Sequence, residues 1–212
     1  MFLETERLML RRFTASDEDH LFDLDSDPQV MRWITGGAST PREVIQRDIL
    51  PAFLHSYDRI AGFGVWAAIE RASGDFVGWF SFRPPEGSGS ENVAFGYRLR
   101  RAVWGQGYAT EGVRALIHNG FTDLGVQRVF ATTYQDNLAS RRVMEKAGLT
   151  LARTFRMTPA DLLAADTFDS ASQDLWDGDD VEYALLKADW ERQNRQADQR
   201  PLLAPDNTGH IQ

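Results

Sequence analysis

Residues Arg101 to Glu111 read Arg-Ala-Val-Trp-Gly-Gln-Gly-Tyr-Ala-Thr-Glu and carry the clearest chemistry in the chain. Gly105 and Gly107 stand between a strand-like run, Val93 to Leu99, and a helix-like run marked by Val113, Leu116, Ile117, Phe121 and Leu124. Glycine lets a backbone turn sharply and approach a ligand closely. The helix start behind these glycines offers unpaired N–H groups and the positive end of a dipole, which together favour an anion and most naturally a phosphate. A phosphorylated cofactor held at this turn is therefore the first expectation. The turn is not a dinucleotide fingerprint, because Thr110 occupies the place of the third glycine and hairpins precede it. It is not a P-loop either, since no Gly-Lys-Ser/Thr follows. A nucleotide-dependent oxidoreductase is set aside on these grounds.

A second constellation lies downstream. Asp136-Asn137-Leu138-Ala139-Ser140-Arg141-Arg142-Val143-Met144-Glu145-Lys146-Ala147-Gly148-Leu149 follows a strand-like run. On a helix Asn137 and Ser140 share a face, and Val143, Met144 and Ala147 form a buried stripe. Asn137 also fits as a plain N-cap, which does not exclude ligand contact. Gly148 is a helix stop.

These groups need elements to position them. Leu8 and Leu10 alternate with charged neighbours as in a first strand. Ser16 with Asp19 resembles a capping box ahead of Leu21, Phe22 and Leu24. Thr40-Pro41-Arg42-Glu43 starts a second helix, with Val44, Ile45, Ile49 and Phe53 facing a core. Between them Met31-Arg32-Trp33-Ile34 is a loop of large apolar side chains that either lines a pocket or packs as a lid. Phe63 to Glu70 and Phe76 to Phe82 form a hairpin about Ala72-Ser73-Gly74-Asp75. The segment 84–90 is a connection, and Glu91 to Leu99 a third strand. Gln127 to Tyr134, Leu149 to Met157 and Val181 to Leu186 complete the strands, giving one mixed α/β domain. Residues 191–212 are polar with two prolines and read as a flexible tail on a domain spanning 1–190.

With 212 residues the chain has room for one domain with a sizeable core. The absence of cysteine excludes disulfides, Cys-ligated zinc and a Cys nucleophile, and no metal site is read. A net charge of −8 argues against general nucleic-acid binding and suits cationic small molecules. No apolar run reaches the length of a membrane span, and the acidic start does not read as an export signal, so a cytoplasmic location is expected. A monomer and a homodimer both remain open.

The order strand, W-G-Q-G-Y-A-T-E, helix, strand, then N-x-A-S-x-x-V-x-E-K-x-G closely resembles the GNAT acetyltransferase superfamily. The opening Leu3-Glu4-Thr5-Glu6-Arg7-Leu8-Met9-Leu10-Arg11 and closing Asp180-Val181-Glu182-Tyr183-Ala184-Leu185-Leu186 look most like its ribosomal-protein N-terminal acetyltransferase (RimJ/RimL) branch. The resemblance covers roughly residues 2 to 190. It implies a central, mostly antiparallel mixed sheet splayed at the cofactor site and flanked by helices. It also implies that acetyl-CoA is held through Trp104, Gly105, Gln106, Gly107, Tyr108, Ala109 and Thr110 at the pyrophosphate, with Trp104 replacing the usual Gln or Arg. Tyr97, Arg98 and Leu99 fall where the splayed strand meets the pantetheine arm, and Asn137 touches the same arm. Arg142 or Arg141 reaches the adenosine phosphate, with Arg100 and Arg101 as rivals.

The chemistry this implies is direct transfer of an acetyl group to a primary amine. An α-amine of pKa about 8 needs little help to become neutral, a lysine-type amine of about 10.4 needs more. A backbone N–H near Phe95 to Tyr97 is positioned for the oxyanion. Ser140 is the first candidate to protonate the departing thiolate and Tyr134 the second. Ala94 and Phe95 precede Gly96-Tyr97, where related enzymes carry an acid. Either Glu91 acts as a base through water, or no dedicated base exists. The alternative is an acyl-CoA sensor of the same fold without turnover. Asp161, Asp166, Asp169, Asp174, Asp177, Asp179 and Asp180, interleaved with Phe168, Leu175 and Trp176, suggest a loop that attracts a cationic acceptor: a peptide N-terminus, a polyamine or an aminoglycoside-like amine.

Overall fold

The structure, a computed structural model, describes residues 2–158 and 178–198. Among the described residues, alternating side chains build eight strands: β1 (Leu3–Glu4), β2 (Leu8–Arg12), β3 (Gly64–Glu70), β4 (Phe76–Arg83), β5 (Asn92–Leu99), β6 (Arg128–Tyr134), β7 (Thr150–Phe155) and β8 (Asp180–Leu186). They form one sheet in the order β1-β2-β3-β4-β5-β6-β8-β7. Every pairing is antiparallel except β5 with β6. The expected mixed, mostly antiparallel sheet is present.

Its two faces carry separate cores. On β3, Trp66 and Ala68 point to one side, Val65, Ala67 and Ile69 to the other. The first side is covered by α5 (Tyr108–Thr122) and α6 (Leu138–Lys146) through Val113, Leu116, Ile117, Phe121 and Met144. The second is covered by α1 (Glu18–Asp25), α2 (Pro28–Met31), α3 (Arg42–Val44) and α4 (Leu50–Arg59) through Leu21, Leu24, Val30, Val44 and Phe53, with Ile45 and Ile49 from the segment between α3 and α4. A π-helical turn, Ile45–Ile49, joins α3 to α4. Pro51 explains it: proline has no N–H and its ring clashes with the carbonyl four residues back, so the ladder widens there.

Local signals were displaced in two places. The capping box ahead of α1 is Thr14 with Asp17, two residues before the expected Ser16 and Asp19. Its cause is Arg11, which holds the buried Asp17 carboxylate at 2.6 Å and fixes the turn. Thr40 does not cap α3, whose N-cap is Pro41; the Thr40 hydroxyl turns inward to Asp25 Oδ2 at 3.2 Å. The expected domain end at residue 190 falls inside a helix, α7 (Lys187–Asp198). Trp190 packs there on Phe121 with ring centres 5.5 Å apart, a single apolar anchor too sparse to show as a helical stripe. Residues 199–212 lie outside the described residues.

Helix α5 sits close on the sheet because two of its residues lack side chains. A Cβ on Gly112 would meet Phe80 Cζ at 2.3 Å, and one on Gly120 would meet Phe82 Cζ at 2.5 Å. Both rings are fully buried. Gly112→Ala is expected to lower the unfolding free energy by about 1–3 kcal/mol, because overpacking outweighs the roughly 1 kcal/mol of added helix propensity. Urea unfolding checks this, with Gly89→Ala as control. The control methyl meets nothing within 4 Å.

Candidate functional site

The parallel ladder between β5 and β6 has three rungs, Asn92↔Arg128, Val93↔Val129 and Ala94↔Phe130, and then stops. Both strands continue, to Leu99 and to Tyr134, so they part and leave a split. On its other edge β5 stays paired with β4 along the split, from Ala94↔Arg83 to Leu99↔Gly78. Arg100 N–H donates to Val77 O at 2.9 Å, which fixes the phase of that ladder. In an antiparallel pair the bonded residues alternate. The N–H and C=O of Tyr97 and the N–H of Leu99 are therefore directed into the split. The Leu99 carbonyl is taken by the Trp104 indole, Nε1 donating at 2.8 Å. Trp104, itself 46% exposed, thus staples the chain leaving β5.

The glycine turn lies at the open end of the split. Gly105 and Gly107 have φ of +74° and +87°, values that L side chains rarely adopt. From Gly105 to Thr110, six consecutive N–H groups find no acceptor among the described residues; the first helical bond of α5 is Glu111 N–H to Gly107 O at 3.0 Å. Residues at a strand end clamp this turn from outside. Glu111 accepts from the Arg7 guanidinium at 2.6 Å, from Arg7 N–H at 2.9 Å and from Thr5 Oγ1 at 2.5 Å. Arg7 in turn donates to Gln106 O at 2.9 Å and lies over the Tyr108 ring. The Tyr108 hydroxyl is bound to Glu70. Partial burial would raise the Glu111 carboxyl, but these hydrogen bonds hold it below the usual glutamate value.

The two faces of the split differ. On the α5–α6 side, Tyr97 Oη lies 3.5 Å from Ser140 Oγ. Asn137 caps α6, accepting from Ser140 N–H at 3.3 Å, while its amide donates to Thr133 Oγ1 at 3.1 Å. Burial pushes the Tyr97 phenol up, so it keeps its proton at neutral pH. On the α1–α4 side, Tyr134 ends β6, with the Trp33 ring 6.2 Å away. Burial first, and then the Asp180 charge, push this phenol up as well. Arg98 sends its side chain to this second side, where it forms a buried ion pair with Asp25 at 2.6 Å. Only its backbone borders the split.

The structure thus brings Tyr97, Leu99, Trp104 to Thr110, Asn137, Ser140 and Tyr134 around one opening. Glu91 is not among them. It is exposed at the start of β5, where its carbonyl accepts from Gln127 and Arg128 N–H at the closed end of the ladder. At about 3.3 Å per residue, six residues put it roughly 20 Å from Tyr97. Of the four arginines, Arg141 is tied to Tyr183 Oη and Gln135 O. Arg100 and Arg101 face Asp23 and Asp27 across a cleft of about 500 Å³. Arg142 is exposed, with no such partner among the described residues. Of the acidic, aromatic loop, Asp161, Asp166, Phe168, Asp169, Asp174, Leu175, Trp176 and Asp177 lie outside the described residues. Sequence reasoning gave Trp33 no definite role and missed the Arg98–Asp25 pair; the apolar cluster 31–34 was the signal for the first.

A sheet parted between two parallel strands, with a glycine turn opening a helix at its mouth, is the architecture of an acyltransferase that takes a coenzyme A thioester. The acetyltransferase (GNAT) domain family matches residues 7–150. The chain belongs to this family and is an acetyl-CoA-dependent N-acetyltransferase. It is 30% identical to the FsC-acetyl coenzyme A-N(2)-transacetylase of Aspergillus fumigatus, over 91% of this chain and 79% of that protein. A solved GNAT-family acetyltransferase from Bacillus anthracis is 25% identical and superposes with a TM-score of 0.69, covering 89% of this chain and 99% of that one. The aminoglycoside acetyltransferase AAC(6')-Ib in complex with coenzyme A shares the fold at a TM-score of 0.65 and 22% identity, over 88% of this chain and 99% of that one. No helix among the described residues is long and apolar enough to cross a membrane.

Glu111 gives a pH test of the clamp. Its folded-state pKa is lowered, so the stability it adds is complete above its unfolded value of about 4.5 and is lost as pH falls through the lowered value. Glu111→Gln is expected to be less stable than wild type at pH 7. The gap should narrow on acidification below about pH 4.5, read from urea midpoints across pH 3 to 7.

Proposed function

We propose that the chain transfers the acetyl group of acetyl-CoA directly to a primary amine that is cationic in solution. The six free N–H groups of Gly105 to Thr110 hold the pyrophosphate, favoured by the α5 dipole. Tyr97 and Leu99 offer backbone groups to the pantetheine arm inside the split, Asn137 flanks it, and Arg142 takes the adenosine phosphate. Bound there, acetyl-CoA supplies an activated acetyl thioester. The Tyr97 N–H points at the developing oxyanion. Ser140, backed by the Tyr97 hydroxyl 3.5 Å away, protonates the sulfur on one face of the sheet. Tyr134 stands on the other face, so of the two thiol-acid candidates the geometry favours Ser140 and leaves Tyr134 to the acceptor side.

The observation that carries this reading is the continuity of one track, from the unpaired N–H cluster through the parted strands to Tyr97 and Ser140. Support for a nitrogen acceptor comes from the Aspergillus relative, named for transfer to N(2). The opening and closing strands, which resemble the ribosomal-protein N-terminal branch, keep peptide α-amines in play as acceptors. The net charge of −8 favours either kind of cation.

The test is thiol release from acetyl-CoA with a panel of polyamines, aminoglycosides and short peptides beginning with Ala, Ser or Met. Release with at least one amine is expected. Tight coenzyme A binding without release from any would favour the sensor reading instead. Gly107→Ala must strain a left-handed residue in the cradle. It is expected to raise the KM for acetyl-CoA by roughly 10- to 100-fold, the equivalent of one lost hydrogen bond to a charged group, with a smaller change in kcat.

A further inference from the structure

The sequence leaves the base unassigned, and Glu91 sits at the wrong end of β5. The register of β8 supplies another carboxylate. Asp180 pairs with Tyr134 across β6 and with Phe155 across β7. It is thus the first residue of the strand inserted next to β6, level with the end of β6 where the split is open. Paired residues share a face, so Asp180 lies with Tyr134 and Trp33, opposite Tyr97 and Ser140. Continuing the β5–β6 register puts Ala94 and Gly96 level with Phe130 and Thr132 and Arg98 level with Tyr134, so this lip contributes no acid there, and its one charged group, Arg98, is paired with Asp25.

Two other carboxylates described on this face are held by arginines. Asp25 is held by Arg98, and Glu182 by both Arg128 and Arg153 at 2.5 and 2.8 Å. Asp180 is 5% exposed and forms no ion pair among the described residues. The groups facing it are Asp179 and Glu182 on its own strand, Tyr134 from β6, Phe155 and Arg153 from β7, and the Met157 N–H. A buried carboxylate without a counter-charge is costly, and an incoming ammonium removes that cost.

We propose that Asp180 receives the acceptor ammonium on the Tyr134 face of the split and takes its proton. This rests on the amine-acetylation reading above and names its base. The ammonium gives one proton to Asp180, which passes it to solvent. The freed nitrogen pair forms the N–C bond to the acetyl carbon while the C–S pair goes to sulfur. Sulfur takes a proton from Ser140. The second nitrogen proton leaves to solvent, from which the Ser140–Tyr97 pair is reprotonated. Base and acid thus work from opposite faces of one sheet. Burial, and next to it the charge of Asp179, hold the Asp180 carboxyl above the usual aspartate value despite the Met157 N–H, which brings it nearer the amine it must deprotonate.

The experiment compares wild type, Asp180→Asn and Asp180→Glu in thiol release across pH, with one accepted amine of pKa about 10 and an analogue of pKa about 7. Asp180→Asn is expected to lower kcat/KM by about 100-fold or more for the first amine and far less for the second, which is already neutral at pH 8. Coenzyme A affinity should be unchanged. Asp180→Glu should keep part of the rate and move the acid limb of the profile. Equal losses for both amines, or wild-type rates in Asp180→Asn, overturn the assignment. Should the Asn variant not fold, an acid limb unmoved in Asp180→Glu overturns it as well. A wild type inactive with every amine overturns the proposed function instead.

Discussion

The organisation of this molecule follows from three rungs of parallel pairing between β5 and β6. Among the described residues they are the one parallel joint in an otherwise antiparallel sheet, and α5 is the crossover that a parallel joint requires. Because the joint is short, the two halves of the sheet touch at Asn92 to Ala94 and diverge beyond. Main-chain groups that a longer ladder would have used are left facing open space. Buried backbone polar groups demand partners, so such an opening is tolerated where a ligand or water can fill it. The same crossover delivers the start of α5, with its unused N–H groups, to the mouth of the opening. One topological choice therefore creates both the opening between the strands and the row of unpaired N–H groups at its end.

The close seat of α5 makes that coincidence stable. Gly112 and Gly120 let the helix ride directly on Phe80 and Phe82, which belong to the strand holding β5 from behind. The Arg7–Glu111 clamp then ties the first turn of α5 to the chain entering β2, on the far side of the sheet order. The turn itself is thus left with little freedom while its N–H groups remain unspent, which is what preorganised anion binding needs. Charge inside the clamp is neutralised pairwise, so the positive end of the helix stays available to a ligand.

What could be read in the sequence was what is local. The glycine turn, the Asn137 cap, the Gly148 stop and seven of the strands are written in residues a few positions apart, and each sits within a residue or two of its expected place. The short β1 and the helix around Trp190 were missed because they carry too few apolar residues to show a period. Groups that depend on distant pairing were illegible. Asp180 looked like one of several acidic loop residues, because only the insertion of β8 between β6 and β7 sets it beside Tyr134. Glu91 failed for the complementary reason. Closeness in sequence to Gly96-Tyr97 means little along an extended strand, where each residue adds about 3.3 Å.

The buried Arg98–Asp25 pair ties the lip of the split to the helices on the second face of the sheet. Arg98 belongs to the lip of the split, and its guanidinium lies 5.2 Å from the Trp79 ring centre. Asp25 ends α1 and also accepts from the Thr40 hydroxyl, while Thr40 N–H returns to Asp25 O at 3.4 Å. The segment 26–39, which carries Trp33 over Tyr134, therefore leaves and re-enters at a single carboxylate anchored to β5. Its position over the split is set by that anchor more than by the helices around it. Removing one partner of such a buried pair leaves an uncompensated charge, a loss of about 3–5 kcal/mol that is large against the stability of a single domain. The pair is thus a poor place for sequence variation. Variation is more easily accommodated in the turn between Asp25 and Thr40, where Gly36 and Gly37 both adopt positive φ and a changed side chain need not disturb β5.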